Sequence, residues 1–248
     1  MQKSNIIFQI REVSKSFGGV KAVNQVSFQA QEKEIIGLIG PNGAGKTTLF
    51  NLITGFLRPD EGHIYFRDRD ITNLKPHRIC QLGIGRTFQV VRPLSTLTVL
   101  ENIVTAALLR HNNCKDAEEY AINISQIMGL ASKISKIAGG IPIADKKRLG
   151  FAQALATGAK LLLLDEVAAG LNSTEVDEFL NIIRKVSLEG LTIIMVEHVM
   201  KAVMNVADRI LVLDHGGLIA QGRPEEVTKN EEVIKAYLGD QYKFQKSK

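Results

Sequence analysis

Residues 40–47 read Gly-Pro-Asn-Gly-Ala-Gly-Lys-Thr, a complete G-x-x-x-x-G-K-[ST] pattern. Gly40, Gly43 and Gly45 let consecutive backbone N–H groups curl around an anion where side chains would block the approach. Lys46 can neutralise the β and γ phosphates of a nucleotide, and the Thr47 hydroxyl can ligate Mg²⁺. The candidate phosphate cradle is therefore Gly40, Pro41, Asn42, Gly43, Ala44, Gly45, Lys46, Thr47 and Thr48. A glycine-rich turn with a chance lysine would match the same pattern. What separates the two is a buried strand before the loop and a helix after it. A second constellation is Leu161-Leu-Leu-Leu-Asp165-Glu166, where an apolar run ends in adjacent carboxylates. Strand side chains alternate in direction, so the two acids cannot face one spot in the same way. Asp165 suits a contact to Mg²⁺, and Glu166 is then free to act as general base on a water attacking the γ phosphate.

The elements around these residues supply that context. Glu34–Ile39 is a continuous apolar run that stops at Gly40, and Leu161–Leu164, Thr192–Val196 and Ile210–Leu213 look the same. Short unbroken runs of this kind fit strands buried on both faces, hence a parallel sheet covered by helices. Ile6–Glu12, Val26–Ala30 and His63–Phe66 are further β-prone runs, the last following the turn signal Pro59-Asp-Glu-Gly62. Helical patterns cover Lys46–Ile53, Thr98–Arg110 with a cap at its start, Ala117–Met128 and Asp145–Ala156. Val176, Leu180 and Ile183 recur at helical spacing, with Phe179, Ile182 and Val186 widening the stripe. A hairpin is expected around Asp214-His-Gly-Gly217, then two short helices ending at Gly239. The coarse reading is one α/β core with a helical insertion near residues 90–155 and an antiparallel edge.

Composition excludes several alternatives. The chain has 248 residues, 45% apolar and 23% charged, enough for a full core and unlike a disordered protein. No apolar run approaches the ~18 residues of a membrane span. The start, Met1-Gln-Lys-Ser-Asn, carries no apolar stretch, so no secretory signal is expected. Cys80 and Cys114 lack metal-ligand spacing and read as reduced thiols. The net charge of +5 is scattered apart from Lys243, Lys246 and Lys248 in a basic tail over 240–248, and no basic stretch interleaves with aromatics. A nucleic-acid partner is not expected.

Taken together, the order of phosphate loop, Gln89, helical segment, Asp165-Glu166 and His198 resembles the ATP-binding cassette (ABC) ATPases over essentially the whole chain. The resemblance implies a P-loop NTPase (RecA-like) core with an antiparallel β subdomain and a helical ABC-specific subdomain. On that view residues 6–239 form a single nucleotide-binding domain, with the helical part inserted at roughly 90–157. It further implies that Gln89 contacts Mg²⁺ and senses the membrane subunits. His198 would contact the γ phosphate, and Phe17 would stack on adenine with Val23 nearby. The segments Ile84-Gly-Arg-Thr-Phe-Gln89, Leu97-Thr-Val-Leu-Glu-Asn102, Ala168-Ala-Gly-Leu-Asn172, Val196-Glu-His198 and Ala236-Tyr-Leu-Gly239 look like the branched-chain amino-acid importer ATPases, a group that also serves urea, short amides and aromatic acids. The implied partners are two permease subunits, a second ABC ATPase of the same or a different chain and, indirectly, an extracytoplasmic solute-binding protein. The implied place is the cytoplasmic face of the cell membrane, and, with the sequence stopping near residue 248, no appended regulatory domain of the sugar-importer kind is expected.

The chain departs from that family at one motif. Where Leu-Ser-Gly-Gly-Gln is expected, ahead of Lys147-Arg148-Leu149, it has Ile141-Pro-Ile-Ala-Asp145. Pro142 lacks both the hydroxyl and the N–H of the expected serine. Asp145 is expected to place a carboxylate near a γ phosphate, with Lys146 and Lys147 compensating. The other readings are an exporter motor, such as one for lipopolysaccharide, and a soluble ABC protein acting on nucleic acid or ribosomes. The Gly-Arg-Thr-Phe-Gln and Gly-Leu-Asn loops favour the importer over the first. A single cassette without a heptad run or basic arm disfavours the second.

Overall fold

The structure, a computed structural model, describes residues 5–197 and 200–238. His198, Gly239 and the basic tail lie outside them. Strand β3 (Ile35–Ile39) is buried at every position and runs into the phosphate loop, from which α1 (Lys46–Ile53) departs. β3 is parallel to β8 (Thr192–Val196) on one side and to β9 (Arg209–Asp214) on the other. β8 continues to β7 (Leu161–Asp165) and β7 to β6 (Ile84–Arg86), all parallel. β10 (Gly217–Gly222) closes the far edge antiparallel to β9, the hairpin expected at 214–217. The sheet order is thus β10-β9-β3-β8-β7-β6.

Burial on both faces follows from alternation along the apolar runs. Leu162 and Leu164 join a core cluster with the helices, while Leu161 and Leu163 join the opposite cluster with α1 and the second sheet. Each fully buried leucine contributes about 2 kcal/mol of transfer free energy, so these short runs need no polar face. The second sheet is antiparallel, ordered β2-β1-β4-β5, with β1 Ile6–Phe17, β2 Val20–Gln31, β4 Glu61–Phe66 and β5 Arg69–Asp70.

β1 and β2 are far longer than the expected Ile6–Glu12 and Val26–Ala30. The β1–β2 register shifts at four places, and Glu12 and Gln25 take positive φ of 51° and 50°. Each bulge breaks the two-residue alternation that a sequence pattern needs. β5 and β6 also had no pattern to announce them, since two or three residues set no period, and α2 (Pro76–Leu82) buries only Ile79 and so shows no apolar stripe.

Between β6 and β7 lie α3 (Val99–Ala107), α4 (Cys114–Ile127), two short 3-10 turns and α5 (Ile143–Ala156). Thr98 and Glu101 form a capping box at the start of α3. The apolar faces of all three helices belong to one cluster that runs without a break into the sheet through Leu162, Leu164, Ile193 and Met195. α6 (Ser173–Leu188) buries Phe179, Leu180, Ile183 and Val186 against the same cluster, as its stripe requires. α7 (Met200–Val206), α8 (Pro224–Val227) and α9 (Glu231–Leu238) close the chain around a third cluster containing Ile39, Val212 and Val233.

Candidate active site

The loop after β3 is shaped by glycines that no other residue can replace. Gly40 has φ 153°, and a Cβ built there would lie 2.1 Å from the carbonyl oxygen of Leu213 in β9. Gly45 has φ 103°, and its Cβ would lie 2.2 Å from the carbonyl oxygen of Ala22 in β2. Two sheets therefore press on the loop from opposite ends. The turn between β9 and β10 adds support, with Gly216 N–H donating to Ala44 O at 3.1 Å and Asn24 N–H to Gly216 O at 2.8 Å. α1 starts at Lys46 with no side-chain cap and no acidic residue in its first turn. Its amides and the positive end of its dipole thus face the loop.

Ala22, Asn42 through Thr48 and Glu166 line a cavity of about 210 Å³. Lys46 is buried and donates to the carbonyls of Gly40 at 2.7 Å and Pro41 at 2.9 Å. Burial lowers its pKa below the ordinary lysine value, and the Glu166 and Asp165 carboxylates partly oppose this. Both acids are therefore close enough to act on the ammonium. The three groups proposed from the two sequence motifs meet at one place.

The acids point as strand alternation requires. Asp165, the last residue of β7, is buried and accepts from Arg86 Nη2 at 2.8 Å. Arg86 also donates to Asn51 of α1 at 2.7 Å, and its guanidinium lies over the rings of Phe50 and Phe88, 5.6 and 5.2 Å from their centroids. Residue 166 then leaves the strand with φ 49°, its N–H donating to Val196 O at 2.9 Å. A left-handed residue with a Cβ costs about 1 kcal/mol or more. Here the turn directs the carboxylate to the cavity. Gln89 Nε2 donates to Glu166 Oε2 at 2.5 Å, which brings Gln89 to the site.

Other expected residues fall elsewhere. Val23 is fully buried in the core cluster shared by β1, β2 and α1, so it is a packing residue, and its neighbour Ala22 lines the cavity instead. Phe17 ends β1 half exposed with Lys15 Nζ 5.7 Å from its ring centroid, and it is not among the cavity's lining residues. His198 lies outside the described residues. Its neighbour Glu197 is buried and accepts from Ala168 N–H at 2.7 Å.

Asp145 corrects an expectation. It belongs to the first turn of α5, but its carboxylate is buried and paired with Lys133 at 2.6 Å, turned away from the exposed start of that helix. Lys147 also points inward, to the backbone beyond β7, so neither residue faces a phosphate at the helix start. What that start exposes is Pro142 and Ile143, the latter 64% accessible.

Reasoning from sequence missed the roles of Ala22, Arg86 and Tyr237. The Tyr237 phenol of α9 sits against the Gly40 backbone, with its pKa raised by burial and held back by the Gly40 N–H. Arg86 and Tyr237 left a trace, each inside a segment already singled out, and Ala22 left none.

Known proteins resemble this chain in sequence and in fold. A family profile described as "ABC transporter" matches residues 23–169, and one described as "Branched-chain amino acid ATP-binding cassette transporter" matches residues 218–243. The chain is 37% identical over 254 residues to the high-affinity branched-chain amino acid transport ATP-binding protein BraF of Pseudomonas aeruginosa, covering 96% of this chain and 99% of that one. It is 37% identical over 253 residues to the corresponding LivG protein of Escherichia coli, with the same coverage. Among solved structures, a nucleotide-free ATP-binding cassette from an ABC transporter superposes with a TM-score of 0.86 at 31% identity, covering 95% of this chain and 100% of that one. A cassette in its ADP conformation gives the same TM-score and identity, covering 96% of this chain and 100% of that one.

Proposed function

This chain belongs to the ABC transporter ATP-binding family, and from that premise we propose that it is the ATP-hydrolysing motor of an importer for branched-chain amino acids or related small amides and acids. The observation that carries the reading is the cavity that gathers the phosphate loop, Lys46 and Glu166, with Asp165 beside it. Loop amides and Lys46 bind the β and γ phosphates of ATP. Glu166 takes a proton from the attacking water as that oxygen bonds to the γ phosphorus. The bond to the β–γ bridging oxygen breaks, and ADP leaves with the electron pair.

The donor set fits Mg²⁺, a hard cation that takes few protein oxygens and several from phosphate and water. Thr47 and Asp165 supply oxygens, and Gln89, whose amide nitrogen is engaged by Glu166, has its carbonyl oxygen to offer. When bound, the ion neutralises charge on the phosphate oxygens. His198 is proposed to contact the γ phosphate and Phe17 to stack on adenine.

Residues 6–239 then form one nucleotide-binding domain with the helical part inserted at roughly 90–157. The proposed partners of the motor are two permease subunits and a second ATPase, with an extracytoplasmic solute-binding protein acting indirectly, through the permeases. No described helix is long and apolar enough to cross a membrane. Attachment at the cytoplasmic face is therefore proposed to be through the permeases. The test is uptake of labelled leucine into vesicles holding the permeases, this chain and its partner ATPase. Glu166→Gln is expected to bind ATP yet stop both hydrolysis and uptake. Parental turnover by that variant would refute the assignment of Glu166.

A further inference from the structure

The backbone around Glu166 is held by a buried charge from another part of the fold. Its left-handed conformation persists only where the surroundings fix it. Val196 O takes its N–H. Its carbonyl accepts from Ala169 N–H at 3.3 Å and from Lys147 Nζ at 3.1 Å, and the same ammonium reaches the carbonyl of Val167 at 3.0 Å. The Glu197 carboxylate holds the next amide, Ala168 N–H, at 2.7 Å. The two successive peptide units 166–167 and 167–168 are thus fixed by a cation and an anion.

Lys147 sits in the second turn of α5 and is only 8% exposed. An ammonium is strongly hydrated, and burying it is costly unless its donors and charge are both met. Two of its three donors are met by the carbonyls, and the charge is met by the Glu197 and Glu166 carboxylates. A methionine would fill the same space without that cost, so packing alone gives no reason for a lysine.

We propose that Lys147 is a positioning residue for Glu166: by gripping the carbonyls of residues 166 and 167 it aims the Glu166 carboxylate into the phosphate-loop cavity and ties that aim to the seating of α5. The inference rests on the reading of Glu166 as the base. When α5 shifts, the grip shifts with it, and the base is presented or withdrawn.

The experiment uses the complete reconstituted transporter and measures ATP turnover across ATP concentration for Lys147→Met, Lys147→Arg, Glu166→Gln and the double variant Lys147→Met/Glu166→Gln. Lys147→Met is expected to lower kcat about tenfold or more while KM for ATP stays within about twofold, since the phosphate loop is untouched. Lys147→Arg, which keeps a cation and its donors, restores most of the rate. In the Glu166→Gln background, single-turnover cleavage should fall no further when Lys147 is replaced, because the residue acts through the base. Parental kcat in Lys147→Met, or the same fold-loss with and without Glu166, overturns the proposal. If Lys147→Met does not fold, Lys147→Gln, which is polar but uncharged and one bond shorter and so loses the cation's grip, carries the same comparisons. A fully active Glu166→Gln would instead refute the base, a result separate from failure of Lys147 alone.

Discussion

Asp165 and Arg86 bury opposite charges side by side, with side chains 9% and 7% exposed. Arg86 Nε is buried with no hydrogen-bond partner among the described residues, so the pair is not built for maximal stability. Its geometry serves instead to fix the Asp165 carboxylate beside the loop. Arg86→Ala leaves that carboxylate buried and uncompensated and is expected to cost about 3 kcal/mol, read as a lower urea midpoint. Lys46 carries a second residue-scale prediction. Lys46→Ala abolishes ATP turnover, and because the ammonium is buried on two carbonyls the variant also loses about 1–2 kcal/mol of stability while still folding. The pH dependence follows from the sign of its shift. Burial lowers the Lys46 pKa in the free protein, and bound phosphates raise it. Between those two values ATP binding takes up a proton, so affinity falls as pH climbs past the lowered value. Calorimetry in buffers of differing ionisation enthalpy checks this, and absence of proton uptake at alkaline pH would contradict it.

Helix ends decide much at the scale of elements. α3 begins with a reciprocal cap, in which Thr98 Oγ1 accepts Glu101 N–H at 3.1 Å and Glu101 Oε2 accepts Thr98 N–H at 2.7 Å. α3 has only nine residues, too few to be stable alone, so it depends on this cap and on packing against α4 and α5. Thr98→Ala should cost about 1 kcal/mol, a fall of roughly 2–4 °C in Tm for a chain of this size. The start of α5 is the opposite case. Pro142 occupies the cap position with no side-chain hydrogen bond, and Ile143 is exposed beside it. The inward pairing of Asp145 with Lys133 keeps its charge away from that end. What weakens this helix start as an anion site is the missing proline N–H and the isoleucine side chain.

At the scale of the whole molecule, that helix start bears on how two ATPases share the work. The family resemblance implies that each ATP site is completed by the start of α5 from the opposite chain. A pair of identical chains would offer Pro142 and Ile143 to both sites. A mixed pair has one fully built site, this chain's Lys46, Asp165 and Glu166 completed by an ordinary partner. The isolated chain is accordingly expected to hydrolyse ATP slowly, and a second, different ATPase to raise its turnover. Within the mixed pair, Glu166→Gln in this chain should remove most hydrolysis, and the matching change in the partner less. Steady-state turnover of the two single variants decides between them. Equal losses, or fast turnover by this chain alone, would show that Ile141–Asp145 serves as a normal signature.

The local chemistry of the phosphate loop was legible in sequence because it depends on neighbours in the chain. Glycines at 40, 43 and 45 make the curve, and Lys46 and Thr47 follow at the start of a helix. The buried strands β3, β7 and β8 were legible as well, since burial on both faces leaves an unbroken apolar run. The long bulged hairpin was not, because each bulge resets the alternation. Side-chain direction at the remaining positions was settled by contacts distant in sequence. Arg86 meets Asp165 from 79 residues away, and Gln89 meets Glu166 from 77. Val23 and Asp145 turned inward because the rotation of a strand or helix about its axis is set by what it packs on, which the local pattern at these two positions does not encode. The sequence by itself thus picked out the groups proposed to do the chemistry, and the tertiary structure decided which of them face the cavity.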